Sequence, residues 1–421
     1  MKNEKRKLPE GWWKKLGGKK GVANIINGST PSTDNPEYWD GDILWATPSD
    51  LGKLNSIHID DTKRKITKAG LDSCSTTLLP VGTVLLTSRA PVGNLAITKK
   101  PICTNQGFKS FIPKEEINSL YLYFAIKKIV PAIQKQSHGN TFTEITKELI
   151  QNFEIPLPPT LDDQIRIASE LERKMAEIDK MRQAALSQKE AIAAMQGAIL
   201  RDVFPYKAGD KLPEGWRWEK IGSHILDYQS GLARGDKSKL DGYPHLRMNN
   251  ISKDFKLDLT LLWGIPASEV ELDKYCVKQG DILFNNTNSA ELVGKSCLFN
   301  LKGNDKFLFS NHLTRIRTKE TLRSQYFLYW INVFWQRRHF EDNCDKWVNQ
   351  AAARVEDLLF PLDIAFPPSI DDQIAIASEL ERKMAEIEKM RQAADNQLEA
   401  IEALPGSILR VAFDFEEEEA S

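Results

Sequence analysis

Residues 158–204 (PPTLDDQIRIASELERKMAEIDKMRQAALSQKEAIAAMQGAILRDVF) return as residues 367–413 (PPSIDDQIAIASELERKMAEIEKMRQAADNQLEAIEALPGSILRVAF), with roughly 34 of about 47 aligned positions identical. A stretch this similar to its copy must fold the same way twice, so the chain is a tandem duplication. A shorter echo agrees: Leu8-Pro9-Glu10-Gly11-Trp12 opens the first half and Leu212-Pro213-Glu214-Gly215-Trp216 the second. Each repeat is preceded by a stretch of roughly 160 residues, and the two stretches differ widely in sequence. One frame therefore carries two unlike heads, an arrangement suited to a ligand with two unlike halves.

The 421 residues are long for one core and comfortable for two domains with connectors. The expected division is a first head over 1–157, a helical repeat over 158–204, a second head over 205–366, and a second repeat with an acidic tail over 367–421. Five cysteines (Cys74, Cys103, Cys276, Cys297, Cys344) are odd in number and include no C-x-x-C pair, which argues against a disulfide framework or a zinc site. No apolar run approaches the length of a membrane span, and the basic N-terminus is followed by no apolar export segment. A reducing cytoplasm is the expected location. The net charge of −1 hides a gradient: residues 1–157 hold 22 Lys+Arg against 15 Asp+Glu, and residues 367–421 hold 5 against 14. The first head is modestly basic, which permits contact with nucleic acid without requiring it.

Within the first repeat Leu171, Ile178, Ala185, Ile192 and Ile199 recur every seventh residue, with Met181, Gln188 and Met195 three places after three of them. The second repeat has Leu380, Ile387, Ala394, Ile401 and Ile408, with Met390, Gln397 and Leu404. Such a seam predicts long coiled-coil helices. Thr160 and Ser369 are placed to cap them, with Asp163 and Asp372 at the third helical position and the preceding prolines blocking an earlier start. Pro205 ends the first helix, and Pro405-Gly406 is expected to kink or break the second before its last turn. The apolar stripe of each helix calls for a cover. Its own copy, antiparallel about a pseudo-two-fold axis with the heads at opposite ends, is the most economical, the other covers being a head or a second chain. Gln188 and Gln397 then read as register-setting polar positions.

The heads share an order of elements: turn, buried strand, polar loop, glycine and strand, then an apolar-aromatic helix, a polar loop and a last strand before the prolines. The fold class is accordingly α+β, with two mixed α/β heads joined by two long helices. Asn and Gln pair bidentately with adenine and Arg with guanine, and loops hold such groups at the edge of a rigid scaffold. In the first head this singles out Ser88, Arg89, Asn105, Gln106, His138 and Asn140, with Lys19, Lys20, Lys63, Arg64 and Lys65 for phosphates. In the second it singles out Asn286, Asn288, Asn311, His312, Asn349, Gln350 and Arg354, with Arg234 and Lys237 for phosphates. The competing account is turn chemistry for each Asn or Ser, a solvated face for each Lys and a surface or core role for each His.

A search for catalysis finds no constellation. Val293-Gly294-Lys295-Ser296 ends like a phosphate-binding loop, yet Ser289 stands where that motif needs glycine. The six histidines include no H-x-x-x-H pair, and there is no motif for methylating an amino group. No cofactor and no metal is expected. Two other readings stand beside DNA recognition: a stand-alone methyltransferase or nuclease with an unfamiliar site, and a protein-interaction scaffold without DNA specificity.

The LPEGW openings, PSTDNPEYWDGDILWATPSDL (residues 31–51), the TNQGF stretch and the I-P-L-P-P-x-x-x-D-Q-x-x-I lead-in to a long helix (residues 155–167, with a second copy) carry a family resemblance. Over nearly its whole length the chain resembles the specificity subunit of a type I restriction-modification enzyme. That resemblance implies two target recognition domains, each reading one half of a split, asymmetric sequence in double-stranded DNA. It implies that the helices fix the spacer and, with the heads, dock two modification (methyltransferase) subunits, and that two restriction subunits complete the enzyme. The chain itself is then non-catalytic.

Overall fold

The structure, a computed structural model, describes residues 6–8, 12–89, 91–138, 145–234, 242–348 and 350–417. The chain divides into two compact units, residues 1–186 with 396–421, and residues 187–395. Each unit holds one head, the longer part of the long helix that follows that head and the shorter part of the other.

In unit 1 strand β1 (Trp13–Lys15) leads to β2 (Ala23–Asn27), β3 (Trp39–Ala46), β4 (Arg64–Ile66), β5 (Val84–Thr87), β6 (Leu95–Thr98), β7 (Ile102–Thr104) and β8 (Phe108–Pro113). Helix α1 (Ser119–His138), β9 (Glu154–Pro156) and helix α2 (Leu161–Val203) follow. The main sheet has the order β2-β8-β5-β6, extended by His58–Ile59, and β4-β3-β7 forms a second sheet in which β3 and β7 are parallel. Strand β9 pairs with β1.

Unit 2 repeats this plan with β10 (Arg217–Lys220), β11 (Ile225–Ser230), β12 (Tyr243–Leu246), β13 (Trp263–Ile265), β14 (Ile282–Asn285), β15 (Ser296–Leu298), β16 (Leu308–Phe309) and β17 (Leu313–Thr318). Helix α3 (Ser324–Gln336), β18 (Asp363–Phe366) and helix α4 (Ile370–Ala412) complete the correspondence. Its main sheet runs β11-β17-β14-β15, its second sheet β13-β12-β16 with β12 and β16 parallel, and β18 pairs with β10. Two divergent sequences therefore build one topology.

The reason lies in what the sheets must cover. In unit 1 Val84, Leu86 and Phe111 pack against Tyr121, Phe124 and Ile126 of α1, while the alternate residues Leu85 and Phe108 face a second cluster with Leu44 and Ile102. Unit 2 does the same, with Ile282 and Phe284 against Tyr326 and Trp330, and Leu283 on the other face with Phe309 and Leu313. This period-two division between two cores fixes strand register, because a one-residue slip would exchange the faces.

Each long helix starts from the same device. Asp163 N–H donates to Thr160 Oγ1 at 3.1 Å and Asp372 N–H to Ser369 Oγ at 3.1 Å, so both caps sit at the expected residue. The next residue is buried in each case: Gln164 Oε1 accepts from Asn118 N–H at 2.9 Å and Gln373 Oε1 from Arg323 N–H at 2.9 Å, clamping helix to head. The aromatic contacts match too. Tyr121 hydroxyl donates to Pro156 O and lies against Phe413 in unit 1, and Tyr326 hydroxyl donates to Ala365 O and lies against Phe204 in unit 2.

The helices run antiparallel in each unit. In unit 1 Ile178 and Ala185 pack with Ile401, Leu398 and Ile408, with Leu171 and Ala412 farther toward the head, and in unit 2 Ile192 and Ile199 pack with Ile387, Ala394 and Met384. The seam differs from the expected one. Leu171, Ile178, Ala185, Ile192, Leu380, Ile387, Ala394 and Ile401 are buried, but Met181 (48% exposed), Met195 and Met390 face solvent, and so do Gln188 and Gln397. The covered companions are four residues on, at Met175, Met384, Leu398 and Ala412, with Leu404 the one half-buried residue of the three-residue series. Three residues swing about 60° from the stripe and four about 40°, so the four-residue neighbour faces the partner more squarely. Gln188 and Gln397 thus lose the register role, and in unit 2 Lys189 instead meets Asp395 across the helices at 2.6 Å. Nor does Pro405 break α4, which continues to Ala412. Ile401 before it and Leu409, Ala412 and Phe413 after it are all buried, and that packing holds the helix through the missing hydrogen bond.

Candidate nucleic-acid interface

Strand directions gather the polar loops on one edge of each head. In unit 1, β2 and β5 both run antiparallel to β8, so their C-terminal ends lie beside its start. Backbone bonds close this edge: Ser29 N–H to Thr104 O at 3.0 Å, Asn105 N–H to Ala46 O at 3.0 Å and Ser88 N–H to Gly107 O at 2.7 Å. Unit 2 has the matching set, Leu232 N–H to Phe309 O at 2.8 Å, Ser310 N–H to Leu246 O at 2.8 Å and Asn286 N–H to His312 O at 3.1 Å. The floor of both edges needs a glycine. A Cβ on Gly28 would sit 2.0 Å from Asn105 O, and one on Gly231 would sit 2.3 Å from Phe309 O and Ser310 O.

Of the candidates in unit 1, the structure brings together Ser88, Arg89, Asn105, Gln106 and Arg64. Ser88 is buried, and its hydroxyl has no partner among the described residues. Asn105 Oδ1 accepts from Gly107 N–H at 2.9 Å, which is the turn-chemistry role, while Gln106 is exposed and accepts from Thr30 Oγ1. Arg64 lies 3.6 Å over the Trp39 ring and 5.2 Å from Trp45, whose indoles donate to Ser32 O and Ser29 O. Lys63 is exposed next to it, and Lys65 pairs with Asp61 at 3.5 Å. Lys19 and Lys20 are exposed but lie before the start of β2, at its far end from the edge. His138 ends α1, its side chain is not described, and Asn140 lies outside the described residues.

In unit 2 the edge collects Asn286, Asn311 and His312, with Asn288 and Gln350 on an adjoining ladder. Asn286 Nδ2 donates to Thr314 Oγ1 at 2.9 Å and Asn311 O at 3.2 Å, and Asn288 Oδ1 accepts from Ser289 N–H at 2.9 Å, so both amides shape the loop itself. Asn311 is exposed. His312 is half-buried with its Nδ1 unpartnered among the described residues, and burial first, then the Arg247 charge, holds its pKa below the usual imidazole value. Arg234 meets Glu271 at 2.6 Å and Arg354 meets Asp357 at 2.8 Å, so neither cation is free for a phosphate without giving up a carboxylate. Lys237 and Asn349 lie outside the described residues.

Several residues of this edge carry no obvious mark in the sequence. Arg247 follows β12 directly, is half-buried, and among the described residues has no carboxylate within ion-pair distance. Asn285 is fully buried with both ends of its amide unpartnered among the described residues. The signals that were available are positional: Gly-Ser-Thr after β2 and Arg-Met-Asn-Asn after β12 are polar runs at the ends of buried strands.

Residues 13–188 match the family described as the type I restriction modification DNA specificity domain. The MjaIX specificity subunit of Methanocaldococcus jannaschii is 31% identical over 355 residues, covering 78% of this chain and 77% of that protein. The EcoKI specificity subunit of Escherichia coli K12 is 23% identical over 433 residues, covering 97% and 89%. Among solved structures, a chain described under complex assembly and conformational transition of the type I R-M system superposes with a TM-score of 0.75 at 21% identity, over 97% of this chain and 98% of that one. The HsdS subunit from Thermoanaerobacter tengcongensis gives 0.57 at 20% identity, over 95% and 99%. The structural likenesses speak for the fold, and the sequence identity sustained over more than three quarters of the chain speaks for kinship. The chain belongs to the specificity subunits of type I restriction enzymes.

Proposed function

We propose that this chain gives a type I restriction-modification complex its DNA target, each head reading one half of a split sequence in double-stranded DNA through the loop edge described above. The observation that carries this reading is equivalence without identity. The two edges share backbone bonds and a floor glycine, yet Ser88 stands where the other edge has Asn286, Gln106 where it has Asn311, Gly107 where it has His312, and Thr47 where it has Arg247. Equal scaffolds with unlike side chains are what two unlike half-sites require.

The chain is the non-catalytic member of its complex, and methyl transfer and cleavage belong to its partners. The boundaries at 1–157, 158–204, 205–366 and 367–421 separate recognition from spacing, with the paired helices setting the spacer and docking two modification subunits, and two restriction subunits completing the assembly. The decisive experiment is sequencing of modified bases in DNA from cells that express this chain with its modification subunit, compared with cells lacking this chain. A split motif modified in both halves, lost on deletion, is the expected result. Unchanged modification refutes the role.

A further inference from the structure

The short antiparallel ladder of Asp345–Trp347 with Gln350–Ala352 ends in a tip on which Trp347 is 61% and Val348 90% exposed. Leaving an indole and an isopropyl group together in water forgoes the burial that such side chains ordinarily gain. The tip grows from the recognition edge itself. Its inner strand pairs with Thr287–Asn288, and the residue after that strand, Ala353, donates its N–H to Asn286 O at 2.9 Å.

The surroundings decide what the tip fits. Asp345, Lys346 and Gln350 are exposed beside the two apolar residues, so the apolar surface is a point with a polar collar. Protein interfaces are built on broader apolar patches with packed aromatic anchors. A pair of apolar side chains projecting from a DNA-facing edge has instead the form of the wedges that proteins drive between base steps. Indole adds a planar π-face that stacks on any base, and Val348 adds a side chain stiff about χ1.

We propose that the Trp347-Val348 tip is a wedge that enters a base step beside the half-site facing unit 2 and unstacks it, with the Trp347 indole laid against the exposed base. This rests on the DNA-reading role above and goes beyond it, by assigning to this chain a local deformation of the duplex.

The test uses the complex of the full chain with its modification subunits, and target duplexes carrying 2-aminopurine at successive steps through and beside the unit 2 half-site. The wild type is expected to raise aminopurine fluorescence roughly severalfold at one step, as unstacking does. Trp347→Ala, and Trp347→Ala with Val348→Ser, should abolish that signal and weaken binding by roughly ten- to a hundredfold, while the preference for target over scrambled duplex persists. Trp347→Phe should retain most of the signal. Both substituted residues are exposed, so the variants are expected to fold, which circular dichroism checks. A selective wild-type complex with silent aminopurines at every step, or an undiminished signal in Trp347→Ala, overturns the wedge. Failure of Trp347→Ala to assemble with the modification subunits also overturns it, by making the tip a protein-docking element. A wild-type complex that does not distinguish target from scrambled duplex overturns the DNA-reading role, a different failure.

Discussion

Gln164 reaches from the first turn of its long helix to the backbone of Asn118, accepting that N–H at 2.9 Å while its own Nε2 donates to Glu116 O at 3.0 Å and Pro158 O at 3.2 Å. The carboxamide is about 1% exposed. Both its acceptor and its donor are therefore satisfied by backbone of the head and of the lead-in to the helix. Gln373 repeats the arrangement on Arg323 and Thr321. Gln164→Ala and Gln373→Ala should each cost about 1–3 kcal/mol, because each removes a buried carboxamide whose two ends hold helix and head together. Denaturant unfolding of the full chain checks this, and a change within error would show the clamp to be redundant.

The covered seam makes a prediction that the expected one reverses. Ile178→Ala, at a buried position, should lower stability by about 2–4 kcal/mol, whereas Met181→Ala, on a side chain 48% exposed, should cost well under about 1 kcal/mol. Comparable losses from both would restore Met181 to the seam.

Because α4 continues past Pro405, its Ile401 carbonyl lacks the N–H it would otherwise receive. Pro405→Gln supplies that donor and reproduces Gln196 of the first repeat. It should raise the unfolding midpoint, with a gain of up to about 3 kcal/mol. A loss of stability would mean that the proline ring itself fills the seam.

His245 is about 3% exposed, with Nε2 unpartnered among the described residues, and burial first, then the Arg247 charge, pushes its pKa down to about 4 from 6.5. Between those values the unfolded chain binds the proton and the folded chain does not. Unit 2 should therefore hold its full stability above about pH 6.5 and lose up to about 3 kcal/mol as the pH falls toward 4. His245→Phe should flatten this slope in a pH series of melting curves. An unchanged slope assigns the acid sensitivity to other groups.

Arg247, half-buried at the edge of unit 2, is suited to the paired acceptors of guanine. Arg247→Ala should cost about 1–3 kcal/mol of binding and relax base preference at one position of one half-site. Binding to single-base variants of the target checks this. A uniform loss across all variants, with a shallower salt dependence, would make it a phosphate contact instead.

How much of this could be read from the chain depended on the kind of signal. The long helices were legible because a seven-residue recurrence of Leu, Ile and Ala and a proline-Thr/Ser-Asp start are local patterns, and Thr160 and Ser369 cap where local chemistry puts them. Which neighbour of each seventh residue faces the partner was not, since Met175 and Met181 lie on either side of one stripe and only packing chooses. The polar loops were visible as runs of Asn, Ser and Gly, but their assembly into an edge depends on which strands pair. For that reason Arg247, isolated in the sequence, carries no local mark, while Lys19 and Lys20, conspicuous as a basic pair, lie at the far end of β2 from the edge. Asn105 and Asn286 show the same ambiguity from the other side, since their amides serve their own loops.

Gly28 and Gly231 press their α-carbons against neighbouring carbonyls at the base of the two edges. The lowest layer of each edge is consequently main chain, whose shape does not depend on which side chains stand around it. Side chains around an edge can therefore change, one loop residue at a time, while the main-chain floor beneath them keeps its shape, and two heads of one topology can come to present unlike faces.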